Sequence, residues 1–128
     1  MTRRELLFVF VLGFLLQLPL ATLPGYFSHD ELQWAWYAEH GMSVPWWDGG
    51  ASFQFRPLTF NVWLLLSRAL FATPWAFHCV IVAWGACNAM LLCAVARGFG
   101  LAARPAMVGA LAFLLTPYAA YVHGWVAT

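Results

Sequence analysis

The sequence predicts an all-α integral membrane protein: three transmembrane helices and a long external first loop containing short interfacial helices. Three observations carry that prediction. First, the chain of 128 residues is 63% hydrophobic and only 9% charged. With a mean hydropathy of +0.74, it has too little polar surface to wrap a water-soluble globule, so a bilayer is the expected solvent. Second, its apolar residues gather into runs near the roughly 20-residue length a helix needs to cross a membrane. Third, Arg3 with Arg4 and Arg97 with Arg104 flank those runs where the positive-inside rule places them on one side.

The first span is expected at about 6–24. The segment Thr2-Arg3-Arg4-Glu5-Leu6-Leu7 partly resembles a twin-arginine export signal. Its apolar run, however, continues to Leu23, beyond the roughly 7–15-residue core of a cleaved signal, and no small-x-small site follows. An uncleaved signal anchor with a cytoplasmic N-terminus is therefore expected.

A single membrane domain, 1–128, follows, with an external loop over 25–75. Within it, Ser28 precedes Asp30 and Glu31 as a helix cap with acids in the first turn, where the helix dipole favours them. That short helix is expected to reach about His40, with Gly41 as its C-cap; Pro45 and Gly49-Gly50 then mark irregular backbone. The stretch 58–71 is about 14 residues long and carries Asn61 and Arg68 on one helical face. It reads as a helix lying in the interface. Counting it as a span would move Arg97 and Arg104 to the outside and break the charge rule.

Two further spans are expected, at 77–96 and 105–122. Neither contains a formal charge, although His78 and Asn88 fall in the first, where hydrogen bonds between helices or at the interface are their expected role. Gly85 and Ala89 form a small-x-x-x-small pair suited to close helix contact. Cys79, Cys87 and Cys93 point in different directions at 100° per residue, so neither a disulfide nor a metal site is expected of them. The resulting topology is N-in and C-out.

Charge narrows the function. A net charge of +1 with six scattered arginines provides no dense basic face for phosphate neutralisation, so no nucleic-acid partner is expected. Every basic residue is Arg, as in products of GC-rich bacterial genomes, and a bacterial inner (plasma) membrane is the expected location. Membrane lipid is then the first partner. Asp30 and Glu31 are two of only five acidic residues, and an adjacent acidic pair at a membrane surface is the leading candidate for chemistry. The competing reading is a solvated pair at a helix N-terminus. No spacing among His29, Asp30, Glu39 and His40 is diagnostic of a metal site. The loop tryptophans Trp34, Trp36, Trp46, Trp47, Trp63 and Trp75 read as an interfacial belt before they read as sugar-stacking platforms.

The order of features resembles the N-terminal part of the GT-C membrane glycosyltransferases, which include the protein O-mannosyltransferase, aminoarabinose-transferase and TMTC-like branches. The residues that carry the likeness are Asp30-Glu31 after the first span and Arg56-Pro57-Leu58-Thr59 later in the same loop. Pro74-Trp75-Ala76-Phe77-His78, Asn88, and Pro117 followed by Trp125 match the TMTC-like branch. Ile81, Gly85, Ala119 and Tyr121 depart from it.

The resemblance implies sugar transfer from a polyprenyl-phosphate donor to an acceptor on the external face. Asp30 would serve as general base toward the acceptor or help hold a divalent cation, with Glu31 beside it. Arg56 and His29 would contribute to substrate binding. The chemistry is coherent: a hydroxyl is a weak nucleophile until a carboxylate accepts its proton, and a departing lipid phosphate needs a cation such as Arg56. Enzymes of this class use many more spans, so the chain reads as an N-terminal fragment or as a subunit completed by another polypeptide, inactive alone. The alternative is a small structural or accessory membrane protein without catalysis.

Overall fold

The structure is a computed structural model that describes residues 2–22, 36–37, 39–41 and 57–116. Among these residues there are only helices and turns: α1 (Arg3–Ala21), α2 (Pro57–Leu70), α3 (Pro74–Gly98) and α4 (Ala103–Leu114). Each long helix has a local reason to start where it does. In α1, Thr2 and Glu5 form a capping box: the Glu5 amide donates to the Thr2 hydroxyl, and the Thr2 amide donates to the Glu5 carboxylate at 2.8 Å. In α2 and α3 a proline occupies the first helical position, where its missing N–H costs nothing.

Helix α1 runs antiparallel to α3. Gly13 faces Ala86 closely enough that a Cβ built on Gly13 would lie 3.7 Å from the Ala86 Cα. Val9 shares a buried cluster with Ala89 and Cys93. Glu5 in turn is within electrostatic reach of Arg97. The contact stripe on α3 is Val82, Ala86, Ala89 and Cys93, all fully buried and spaced at helical period. Gly85 is buried on the same side, so the small residues form the close contact.

Helix α4 folds back along this pair and adds Ala106, Ala110 and Leu114 to the cluster. The turn before it is built on Gly100 at φ 89°, with Gly100 N–H donating to Arg97 O at 3.0 Å and Leu101 N–H to Ala96 O at 3.1 Å. This pairing is a Schellman motif, which satisfies the last carbonyls of α3 and needs the left-handed residue that glycine supplies. Helix α2 packs near the start of α3, through Leu66 and Leu70 against Phe77 and Ile81.

Helices α1 and α3 are long and apolar enough to cross a membrane. Only 22% and 33% of their most apolar stretches are buried inside the protein. Leu7, Phe8, Val11, Leu15 and Leu16 on α1, and Leu91, Leu92 and Val95 on α3, point outward. The core helix of a water-soluble protein would hide such residues, so the outward faces suit lipid.

The expected third span differs from the observed helix. The sequence places it at 105–122, whereas α4 begins at Ala103 and ends at Leu114, with Leu115 and Thr116 in a turn. Twelve residues rise only about 18 Å, short of the roughly 30 Å of a hydrocarbon core. The physical reason stands next in the chain: Pro117 disfavours helical backbone at Thr116 and has no N–H to continue the ladder. Residues 117–122 lie outside the described residues.

Candidate functional site

The antiparallel packing of α1 and α3 gives the bundle two chemically different ends. One end gathers the arginines. Arg3 and Arg4 start α1, Arg97 ends α3, and Arg104 stands in the first turn of α4. Arg97 donates through an Nη atom to the Leu101 carbonyl, which ties its side chain to the turn. Arg3, Arg4 and Arg104 are exposed.

The opposite end receives both ends of the segment 23–73. Helix α1 arrives there at Ala21 and Thr22, and α3 departs there from Thr73. The register that sets Gly13 against Ala86 brings Ala21 to the level of His78. Among the described residues, three polar side chains are buried in the half nearest this end: Gln17 on α1, Ser67 on α2 and His78 on α3, the last fully buried. Thr22 closes α1 by donating its hydroxyl to the Pro19 carbonyl at 2.7 Å.

The sequence-predicted site residues His29, Asp30, Glu31 and Arg56 lie outside the described residues. Arg56 directly precedes Pro57, the first residue of α2. One turn of the loop is described. Trp36, Tyr37 and Glu39 are helical, and Gly41 takes a left-handed φ of 67°, the conformation a C-cap glycine supplies.

In this turn the His40 Nδ1 lies 2.8 Å from the Trp36 carbonyl. A carbonyl only accepts, so Nδ1 carries the proton in this contact and Nε2 of the neutral ring is left as an acceptor. The His40 ring stacks on Trp36 with centroids 4.1 Å apart, and Tyr37 meets Trp36 edge-on at 5.5 Å. Trp36, Glu39 and His40 are all exposed. The turn therefore presents an aromatic face, a carboxylate and an imidazole acceptor together. Among the described residues, no group of three or more His, Cys, Asp or Glu side chains is placed to hold a metal ion.

Sequence reasoning passed over Gln17 and Ser67. Gln17 had a visible signal, since it is the one long polar side chain in the apolar run 6–23. Ser67 had none, because a serine in an amphipathic helix is unremarkable without its neighbours. Asn88, expected to hydrogen-bond between helices or at the interface, is exposed on α3 and makes no side-chain hydrogen bond to any described residue. Its stripe, one turn on from Trp84, faces away from α1 and α4.

Comparison with protein-family models, with curated proteins and with solved structures gives no match to this chain.

Proposed function

We propose that the chain is the N-terminal part of a polyprenyl-phosphate-sugar-dependent glycosyltransferase acting on the external face of a bacterial inner membrane. Helices α1 and α3 span the bilayer in this reading, with the arginine end in the cytoplasm and the segment 23–73 outside. The observation that carries the reading is the order Asp30-Glu31, Arg56-Pro57-Leu58-Thr59 and Pro74-Trp75-Ala76-Phe77-His78 along that segment.

The geometry supports it in one respect. The antiparallel course of α1 and α3 fits a segment 23–73 that leaves and re-enters on one side, as this reading requires; all three motifs would then share one face of the membrane and both arginine clusters the other, as the charge rule expects. Asp30 takes the acceptor proton, Glu31 stands beside it, and Arg56 with His29 binds the donor, the guanidinium countering charge on the departing phosphate.

The test is Asp30→Asn, assayed as sugar transfer from a polyprenyl-phosphate donor in membranes of the source cell. A general base contributes about 10²–10⁴-fold, so the variant is expected to insert normally and lose at least a hundredfold in rate. Unchanged transfer with normal insertion removes Asp30 from the mechanism.

A further inference from the structure

The arginine end of the bundle carries more positive charge than the chain places there to neutralise it. Arg3, Arg4, Arg97 and Arg104 gather at this end, and Glu5 is the acid that stands with them. The Glu5 carboxylate already accepts from the Thr2 amide at 2.8 Å and lies within electrostatic reach of Arg97. The remaining acids, Asp30, Glu31, Glu39 and Asp48, belong to the segment 23–73, which leaves from the opposite end. Residues 117–128 contain neither Asp nor Glu. No carboxylate among the described residues pairs with Arg3, Arg4 or Arg104, and all three are exposed.

Packing sets two of these arginines at one height. Helix α4 runs parallel to α1, because both run antiparallel to α3, and Leu114 lies beside Gly13 and Gln17. Ten residues back from Leu114 is Arg104, and ten back from 13–17 is 3–7, so Arg104 stands level with Arg4. Packed helix axes are roughly 8–10 Å apart, a gap that two arginine side chains can close around one phosphate. An exposed apolar stripe runs on from each arginine: Phe8, Val11 and Leu15 on α1, Val108 and Leu115 on α4. Both stripes end about 16 Å from their arginine, near half of the roughly 30 Å hydrocarbon core and so the depth of one leaflet.

We propose that Arg4 and Arg104 hold the phosphate of an anionic phospholipid of the inner leaflet, whose acyl chains lie along these two stripes. A guanidinium meets phosphate oxygens with paired donors. A zwitterionic headgroup brings its own ammonium to the phosphate, whereas a net-negative one leaves the arginines as its counter-charge, so the site selects the anionic lipid. The segment 23–73 would have to cross the bilayer to bring its acids here. The inference rests on α1 and α3 spanning the bilayer, and not on the transferase reading.

The test is native mass spectrometry of the full chain in detergent, titrated with phosphatidylglycerol, with phosphatidylcholine, and with phosphatidylglycerol in the presence of inorganic phosphate. Each arginine contributes about fivefold in affinity for an anionic headgroup, so phosphatidylglycerol should bind at least tenfold more tightly than phosphatidylcholine. Arg4→Gln and Arg104→Gln should each weaken it about fivefold, and the double variant should lose the preference. Arg104→Lys should retain most of it. Arg68→Gln, on α2, should leave it unchanged. Equal binding of the two lipids, or a preference that survives in the double variant, overturns the proposal while leaving the spans intact. Displacement of the lipid by inorganic phosphate at equal concentration would show a free-phosphate site and overturn the lipid assignment. Release of the chain from membranes by alkaline carbonate overturns the spans and the lipid site together.

Discussion

The Gln17 side chain donates through Nε2 to the Leu114 carbonyl at 2.9 Å, a buried hydrogen bond between residues 97 positions apart. Leu114 closes α4, and the last carbonyls of a helix have no partner within it. In an apolar interior that deficit is costly, and one side chain of α1 removes it. Phe113, one residue earlier, is satisfied by the Thr116 hydroxyl at 2.8 Å and by the Thr116 amide at 3.1 Å. Helix α4 can therefore end at Leu114 without leaving these two carbonyls bare.

Replacing Gln17 with Leu keeps the volume and removes the donor. The Leu114 carbonyl then stays buried and unpaired, at a cost of about 1–3 kcal/mol. Thermal unfolding in detergent measures the loss, and Gln17→Glu should lose more, because an ionised carboxylate repels the carbonyl it faces. A Gln17→Leu variant as stable as the parent would show that the bond contributes nothing.

Gly13 sets how closely α1 approaches its neighbours. A Cβ there would stand 2.8 Å from a Leu114 methyl group and 3.7 Å from Ala86. Gly13→Ala should be near neutral, since displacing one side-chain tip costs about 1 kcal/mol while leaving glycine in a helix gains about the same. Gly13→Leu has no such offset and should cost about 2–3 kcal/mol or more by prising the helices apart. The same unfolding measurement separates the two.

Gly98 and Gly100 should respond with opposite signs although they are neighbours in one turn. Gly100 stands at φ 89°, so Gly100→Ala is expected to cost about 1–2 kcal/mol. Gly98 is helical, and a Cβ added there meets nothing within 4 Å, so Gly98→Ala should gain about 0.5–1 kcal/mol. Equal shifts in the two variants would contradict the Schellman closure of α3.

The parts legible in the sequence were those written in local pattern. Uninterrupted apolar runs located α1 and α3, and the period of the stretch 58–71 located α2 to within a residue at each end. The small residues Gly85 and Ala89 marked the packed side of α3. Less legible was whatever depends on a distant partner. Gln17 reads as a lone polar residue until Leu114 is known to sit beside it. The third span was expected through residue 122 because hydropathy continues past Pro117, whereas the described helix α4 ends at Leu114 and residues 117–122 lie outside the described residues. The inward or outward direction of Asn88 was likewise undetermined by composition, since it depends on which side of α3 the other helices occupy. Of the candidate site, the sequence supplied the residues and their order, while the described structure supplies the end of the bundle from which their segment emerges.

Side-specific thiol labelling probes that arrangement most directly. With Cys79, Cys87 and Cys93 replaced by alanine, single cysteines at Ser28, Ser52 and Gly98 are exposed in intact cells to a membrane-impermeant maleimide. The first two are expected to react from outside and the third only after the membrane is opened. Labelling of Gly98→Cys in intact cells, or protection of Ser28→Cys and Ser52→Cys, would place Asp30 and Arg56 in the cytoplasm and contradict transfer on the external face.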